Sequence, residues 1–270
     1  MRGCRRDAME AEDDLLAPRQ WRASDATEGW NCLMKPEGDA PVRYRGVIFD
    51  LFGTLIDNFS SAEYEQVLTQ MAEIVGAPAD GFIRVWRDMV DDRMTGLLPT
   101  IAACVSRVCH TLRIEAGPDE LGRAARVRLE LTRHALAPRE GALQTLRRLR
   151  EKGYKLGLIS DCTLEVPALW GETQFACLFD VVVFSCVVGV RKPDPRIYEM
   201  ACAKLEIRPQ HCLYVGDGSN RELSGAASAG MHAVLLRVPH DDPRAWERAE
   251  AEEWKGMSVS GLAEVLPLVE

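Results

Sequence analysis

The fold of this chain is predicted from one stretch, Val47-Ile48-Phe49-Asp50-Leu51-Phe52-Gly53-Thr54-Leu55-Ile56-Asp57. An apolar run that ends in a carboxylate and then turns on glycine is typical of a buried strand that presents an acid at its end. Asp50 is the candidate nucleophile, because a carboxylate can take up a phosphoryl or alkyl group as a covalent intermediate. Gly53 and Thr54 suit a tight turn that brings backbone N–H groups to an anion.

Three further motifs follow in a fixed order. They are Gly157-Leu158-Ile159-Ser160-Asp161, then Arg191-Lys192-Pro193-Asp194-Pro195, then Val215-Gly216-Asp217-Gly218 followed by Glu222 and Gly225-Ala226. Together with the first stretch, these motifs resemble the haloacid dehalogenase-like hydrolase superfamily over residues 43–238. Any one motif alone is a weak signal, but four in order make chance a poor explanation.

The resemblance implies a catalytic role for three residues. Asp50 would be the nucleophile, and the hydroxyl of Ser160 would donate a hydrogen bond to the group being transferred. Lys192 would neutralise negative charge on the nucleophile and the substrate. The residues implied to bind substrate or phosphate are Gly53, Thr54, Ser160, Asp161 and Lys192.

The resemblance also implies a Mg²⁺ site. Its ligands would be Asp50, the backbone carbonyl of Phe52 and Asp217, which are hard oxygen donors of the kind that Mg²⁺ prefers. Glu222 stands where relatives usually carry a second Asp. We expect Glu222 to act through water or to orient Lys192.

Short β-branched apolar runs alternate with helical patterns along most of the chain. Because the runs are continuous, the strands are predicted to be covered on both faces, in a doubly wound parallel sheet of the α/β class. Ligands of such sheets bind at the carboxyl ends of the strands, where Asp50, Ser160 and Asp217 fall. The predicted strands are 44–50, 155–160, 181–185, 212–216 and 232–238, and the predicted core helices are 142–152, 195–205 and 221–229.

The segment between Asp57 and Pro138 interrupts this alternation with four amphipathic helical stripes, at 64–75, 82–90, 101–112 and 121–136. An insertion at this place matches the helical cap of the superfamily, a lid that closes over the site and determines substrate specificity. The predicted domains are a flexible N-terminal extension at 1–42, a core at 43–57 and 137–270, and a cap at 58–136.

Composition excludes several classes of partner. A formal net charge of −8 argues against sequence-independent binding to nucleic acid. No apolar stretch approaches the roughly 18 residues of a membrane span. Nine cysteines without a Cys-x-x-Cys pair fit reduced thiols in a cytoplasmic protein. The sequence predicts no oligomeric state.

Phe52 determines how far the chemistry can follow that of the superfamily's phosphatases. Those enzymes carry an acid at this position, which protonates the leaving oxygen and then activates water, and such help is worth roughly 10² to 10⁴ in rate. Dehalogenating relatives carry an aromatic residue there, since a halide needs no proton, but they lack the metal-binding acid that this chain keeps as Asp217.

Three hypotheses follow. The first is a Mg²⁺-dependent hydrolase of a small phosphorylated metabolite, with either a good leaving group or another acid such as Asp161. The second is a metal-independent 2-haloacid dehalogenase that forms an alkyl ester on Asp50. The third is a non-catalytic protein that binds a phospholigand or a partner.

Overall fold

The structure is a computed structural model that describes residues 44–238 and 248–270. The interpretation of residues 1–42 as a flexible extension lies outside the described residues. The strands are β1 Gly46–Phe49, β2 Lys155–Ser160, β3 Val181–Phe184, β4 Cys212–Gly216, β5 His232–Leu236 and β6 Met257–Val259. They form one parallel sheet with the order β3-β2-β1-β4-β5-β6.

Helices cover both faces of this sheet and fill the segment between β1 and β2. They are α1 Ser61–Ile74, α2 Ala79–Asp88, α3 Val90–Met94, α4 Ile101–Leu112, α5 Pro118–Ala135, α6 Ala142–Glu151, α7 Glu165–Leu169, α8 Ser185–Val188, α9 Pro195–Leu205, α10 Glu222–Ser228 and α11 Ala249–Glu253. Short 3-10 helices lie at Trp170–Glu172, Pro209–His211, Ser219–Arg221 and Leu262–Leu268.

Strand β1 lies in the middle of the sheet and is apolar on both faces. Val47 and Phe49 pack into one hydrophobic core, whereas Ile48 packs into a second core on the other side. Successive side chains of a strand point to opposite faces, so a continuous apolar run is needed where both faces are covered. The predicted doubly wound parallel sheet is therefore confirmed.

The helices α1 to α5 form the insertion between β1 and β2, with a hydrophobic core of their own. Phe82 and Trp86 of α2 are fully buried in it together with Leu68 of α1. At the base of the insertion Ile56 forms an antiparallel bridge with Pro138, which brings the two connecting chains together. The prediction of an inserted helical unit on a parallel core is confirmed.

The boundaries differ from prediction in three places. The helix predicted at 82–90 is broken at Met89, whose φ of −91° and ψ of 15° separate α2 from α3. Strand β6 was not predicted, because it has only three residues and its Met257 is exposed. Helices α7, α8 and α11 were also missed, since four or five residues are too short for a periodic signal. Other ends differ by one to three residues, and the helices that begin at Ser61, Ala79 and Pro118 each start three residues before the predicted stretch.

Among the described residues, no helix combines the length and the apolar character that crossing a membrane requires.

Candidate active site

Three neighbouring strands place polar residues at one edge of the sheet. Phe49, the last residue of β1, pairs with Leu158 of β2 and with Val215 of β4. Asp50 comes next, and its N–H donates to the carbonyl of Val215 at 2.9 Å. Because parallel strands end together, this register brings Asp50 between the carboxyl ends of β2 and β4.

A cluster of five charged residues lies at this edge, and we call it the floor: Asp50, Lys192, Asp217, Glu222 and Arg248. The Nζ atom of Lys192 lies 2.5 Å from Asp50 Oδ1 and 2.5 Å from Glu222 Oε2. The Nε atom of Arg248 lies 2.8 Å from Asp217 Oδ2. Lys192, Asp50, Asp217 and Glu222 are all buried, so these ion pairs are shielded from water.

The turn that carries Lys192 is fixed by a distant acid and by the helix that follows it. The backbone N–H of Lys192 donates to Asp161 Oδ1 at 3.0 Å. Asp194 caps α9 by accepting from the N–H of Arg196 at 3.0 Å, and Pro195 occupies the first turn, where a missing N–H costs nothing. The Lys192–Pro193 peptide bond is cis. The hydrogen bond to Asp161 and the capped start of α9 hold this turn, and the side chain of Lys192 reaches Asp50 at the sheet edge.

Glu222 is the second acid that contacts Lys192, and it is itself fixed by two further hydrogen bonds. Its Oε2 accepts from the hydroxyl of Tyr214 at 2.8 Å as well as from Lys192, and its Oε1 accepts from the N–H of Gly218 at 3.0 Å. A Cβ at Gly216 would lie 2.2 Å from Glu222 Oε1, so only glycine leaves room for this carboxylate. Both oxygens of Glu222 are therefore engaged in positioning contacts.

The floor carries more negative than positive charge, since three carboxylates share two cations. Burial raises the pKa of Asp50 to about 6, and the nearby Asp217 raises it too, while Lys192 opposes both. Burial and the charge of Asp50 raise the pKa of Glu222 well above its ordinary value. Burial lowers the pKa of Lys192, but Asp50 and Glu222 outweigh it and hold this pKa well above its ordinary value.

These residues fit a divalent cation of the Mg²⁺ type. Asp50, Asp217 and Glu222 each offer a carboxylate oxygen, and these atoms lie within 4.8 Å of one another. Asp50 Oδ2 is buried without a hydrogen-bond partner among the described residues. Hard oxygen donors with surplus negative charge are what Mg²⁺ prefers, although here Arg248 already lies against Asp217.

The other predicted phosphate-binding residues lie beside the floor. Gly53 has a φ of +77°, and a Cβ there would lie 2.1 Å from Asp217 Oδ2, so both backbone and packing require glycine. Thr54 Oγ1 and Ser160 Oγ are buried and, within residues 44–238 and 248–270, have no hydrogen-bond partner. Asp161 accepts from Lys192 N and, at 3.2 Å, from Asn220 Nδ2.

A pocket of about 480 Å³ lies between the floor and the insertion. From the core it is lined by Asp50, Phe52, Asp161 and Lys192 among others. Gly53, Thr54 and Ser160 do not belong to its lining. The Phe52 ring packs against that of Phe59 with centroids 5.2 Å apart, which makes this side of the pocket apolar.

The insertion contributes two buried arginines to the pocket, Arg93 of α3 and Arg128 of α5, and we call this pair the roof. Neither was singled out from the sequence. A signal was present, because Arg93 continues the buried stripe of Phe82, Trp86 and Met89 at helical spacing. Tyr214 and Arg248 were also missed: a tyrosine in an apolar strand reads as core, and Arg248 follows no motif.

A family model described as haloacid dehalogenase-like hydrolase matches residues 44–230. A glyceraldehyde 3-phosphate phosphatase of Methanopyrus kandleri is 37% identical over 131 residues, which is 46% of this chain and 55% of the relative. The (S)-2-haloacid dehalogenase 4A of Burkholderia cepacia is 26% identical over 233 residues, covering 83% of this chain and 94% of the relative. The match to the first of these relatives thus spans little more than half of its length.

Solved structures agree on the fold. A 2-haloacid dehalogenase from Pseudomonas syringae has a TM-score of 0.61 at 23% identity, over 84% of this chain and 97% of that one. A predicted phosphoglycolate phosphatase from Haemophilus somnus has a TM-score of 0.55 at 20% identity, over 84% and 98%. With four ordered motifs, the parallel sheet and the family model in agreement, this chain belongs to the haloacid dehalogenase-like hydrolase family.

Proposed function

We propose that this chain is a Mg²⁺-dependent phosphatase that acts on a small phosphorylated metabolite through an aspartyl-phosphate on Asp50. One observation carries the proposal. Asp50 lines the pocket, Lys192 holds its Oδ1 at 2.5 Å, and its Oδ2 has no hydrogen-bond partner in the described part of the chain. A carboxylate with one oxygen fixed and the other unengaged is suited to nucleophilic attack.

The reaction proceeds in two steps on Asp50. In the first, a carboxylate oxygen of Asp50 attacks phosphorus, and the bond from phosphorus to the leaving oxygen breaks with its electron pair going to that oxygen. In the second, the oxygen of a water molecule attacks phosphorus and the bond to Asp50 breaks, so that phosphate leaves with both protons of the water and the carboxylate is restored. Lys192 offsets the negative charge that the phosphoryl group and Asp50 bring together, and Glu222 positions Lys192.

Mg²⁺ would be held by Asp50, the carbonyl of Phe52 and Asp217, and when bound it would neutralise charge on the phosphate oxygens. The phosphate contacts proposed for Gly53, Thr54, Ser160 and Asp161 are part of the same proposal. So is a role of residues 58–136 as a cap. A cytoplasmic location is supported by buried free thiols at Cys162, Cys186, Cys202 and Cys212.

The leaving group is proposed to be a good one. Phe52 supplies no proton, and both oxygens of Asp161 already accept hydrogen bonds, Oδ1 from Lys192 N–H and Oδ2 from Asn220. Asp161 is thus engaged as an acceptor rather than placed as a donor. An activated phosphate, whose leaving oxygen needs no proton, matches such a site.

The test is phosphate release from acetyl phosphate, nitrophenyl phosphate and glyceraldehyde 3-phosphate, with Mg²⁺ and with a chelator. We expect turnover of the activated substrates, abolished by chelation and reduced at least about 10⁴-fold by Asp50→Asn, since losing a hydrolase nucleophile costs up to about 10⁶. Absence of phosphate release from every substrate, by a chain shown to be folded, would contradict the proposal.

A second candidate function is metal-independent dehalogenation of a 2-haloacid, and two observations favour it. The wall formed by Phe52 and Phe59 is apolar, as a carbon–halogen bond requires, and Arg248 already neutralises Asp217. In that reaction Asp50 would displace halide and form an ester, which water would then hydrolyse. Halide release from 2-chloropropionate that persists in a chelator would establish it. Micromolar binding of a phospholigand by calorimetry, with neither phosphate nor halide released, would favour the non-catalytic binding protein instead.

A further inference from the structure

Four arginines line the pocket, and they differ in burial and in partners. Arg87 is 57% exposed and pairs with Glu65 at 3.2 Å. Arg191 is 27% exposed and pairs with Asp91, and its Nε also lies 3.7 Å from Asp161 Oδ2. Both therefore lie at the solvent side with their charge already matched, and they need no ligand to account for them.

Arg128 is buried but paired. It is only 3% exposed, and its Nε lies 3.1 Å from Glu165 Oε1, which is 3% exposed as well. Its NH1 donates to Thr132 Oγ1 at 2.8 Å. A buried cation is tolerated when an acid and further hydrogen bonds compensate for lost water, and Arg128 has both.

Arg93 is buried to the same degree and lacks such an acid. It is 4% exposed, its NH2 donates to the carbonyl of Trp86 at 3.1 Å, and its guanidinium stacks on the Trp86 ring at 4.4 Å. Among the described residues no carboxylate lies within ion-pair distance, and its Nε has no hydrogen-bond partner. Since a guanidinium has five N–H donors, most of its hydrogen-bonding capacity is open.

The contacts with Trp86 explain where Arg93 is held, but not why a cation is there. A backbone carbonyl and an aromatic face stabilise a cation only weakly compared with the cost of burying its charge. A methionine at this place could fill the same space against Trp86 without that cost. The unmatched positive charge of Arg93 thus belongs to a residue that lines the same pocket as Asp50.

We infer that Arg93 is a specificity-determining residue that binds a carboxylate group of the substrate. The inference deepens the proposed function, on which it rests: the substrate would be a small phosphorylated carboxylic acid. One unmatched cation suits a singly charged carboxylate, because Arg128, the other roof arginine, is already neutralised by Glu165. Arginine and carboxylate also match in geometry, since two parallel N–H···O bonds can form between them.

The experiment measures binding by calorimetry to the full chain carrying Asp50→Asn, which prevents turnover, in the presence of Mg²⁺. Three ligands are compared. 3-Phosphoglycerate carries both a phosphate and a carboxylate, glycerol 3-phosphate carries only the phosphate, and glycerate carries only the carboxylate. We expect 3-phosphoglycerate to bind at least about 10-fold more tightly than glycerol 3-phosphate, as one charge-assisted hydrogen-bonded pair can provide. Adding Arg93→Met should remove this preference.

Two controls separate binding from folding. Glycerol 3-phosphate should keep its affinity for the Arg93→Met chain, because a misfolded variant would lose every ligand. Arg84→Met removes the same charge from an exposed position of α2 outside the pocket lining, and it should leave the preference intact.

The two proposals fail in different ways. The chain with Asp50→Asn alone could show no preference for 3-phosphoglycerate over glycerol 3-phosphate, or Arg93→Met could leave that preference unchanged. Either result would overturn the assignment of Arg93 while leaving the phosphatase proposal in place. If instead glycerate binds through Arg93 but phosphate adds no affinity, the carboxylate site stands and the phosphatase proposal fails. Failure of both 3-phosphoglycerate and glycerate to bind would overturn the carboxylate site.

Discussion

The floor and the roof face each other across one pocket, and they treat buried charge differently. In the floor, Lys192 contacts two acids and Arg248 contacts a third, so each cation has an acidic partner. In the roof, Arg128 has Glu165, whereas Arg93 has no acidic partner within the described residues. A charge balanced inside the chain needs no ligand to explain it, but an unbalanced buried charge indicates a group that arrives from outside.

The largest stability effect is expected when the cation that two acids of the floor share is removed. Lys192→Met would leave Asp50 and Glu222 buried without their shared cation, and removing one partner of a buried ion pair costs about 3–5 kcal/mol. The free energy of unfolding, measured by chemical denaturation, should fall by that amount. Arg87→Met serves as the control, because its exposed pair with Glu65 is worth no more than about 1 kcal/mol. Equal losses in both variants would show that the floor is not a special environment.

The roof allows the sharpest form of the comparison, since it holds two arginines of equal burial. Arg128→Met should lower the free energy of unfolding by about 3–5 kcal/mol, because Glu165 would remain buried without a cation. Arg93→Met should cost no more than about 1 kcal/mol, the value of the lost contacts with Trp86. Denaturation of the two variants side by side checks the difference. A large loss for Arg93→Met would make its role structural.

An effect smaller than the loss of a buried ion pair is expected at Phe52, which lies between floor and roof. Phe52→Asp would place a carboxyl group beside Asp50, where a proton donor is otherwise lacking. For glycerol 3-phosphate, whose leaving oxygen needs a proton, we expect kcat to rise by about 10², at the lower end of what acid-base catalysis provides. Phe52→Asn is the matched control, because asparagine has nearly the same shape as aspartate but cannot donate a proton as an acid. A similar gain from both variants would mean that relief of crowding against Phe59, not proton transfer, is responsible.

The floor was largely predictable from the sequence, for a physical reason. Asp50 and Asp217 each follow an apolar run directly, so the ends of the two strands fix their positions. Lys192 could be predicted only from the resemblance, since its placement depends on a turn and on Asp161 far away in sequence.

The roof could not be predicted in the same way. The segment Val90-Asp91-Asp92-Arg93-Met94 is rich in charge, and such a segment usually forms a solvated helix face. Whether an arginine in it is buried depends on the break at Met89 and on how α3 packs, which are tertiary features. The absence of an acidic partner is harder still to foresee, because it depends on every neighbouring element together.

The position of the insertion has a consequence for the order in which the chain folds. Gly46 of β1 pairs with both Lys155 and Cys212, so β1 leaves the ribosome long before either neighbour has been synthesised. Helices α1 to α5 emerge in between, and they pack on one another over shorter sequence separations than β1 and its partner strands, which favours faster formation. We expect the insertion to fold first on the nascent chain. Until β2 and β4 have been synthesised, the apolar β1 remains unpaired and can aggregate or bind a chaperone.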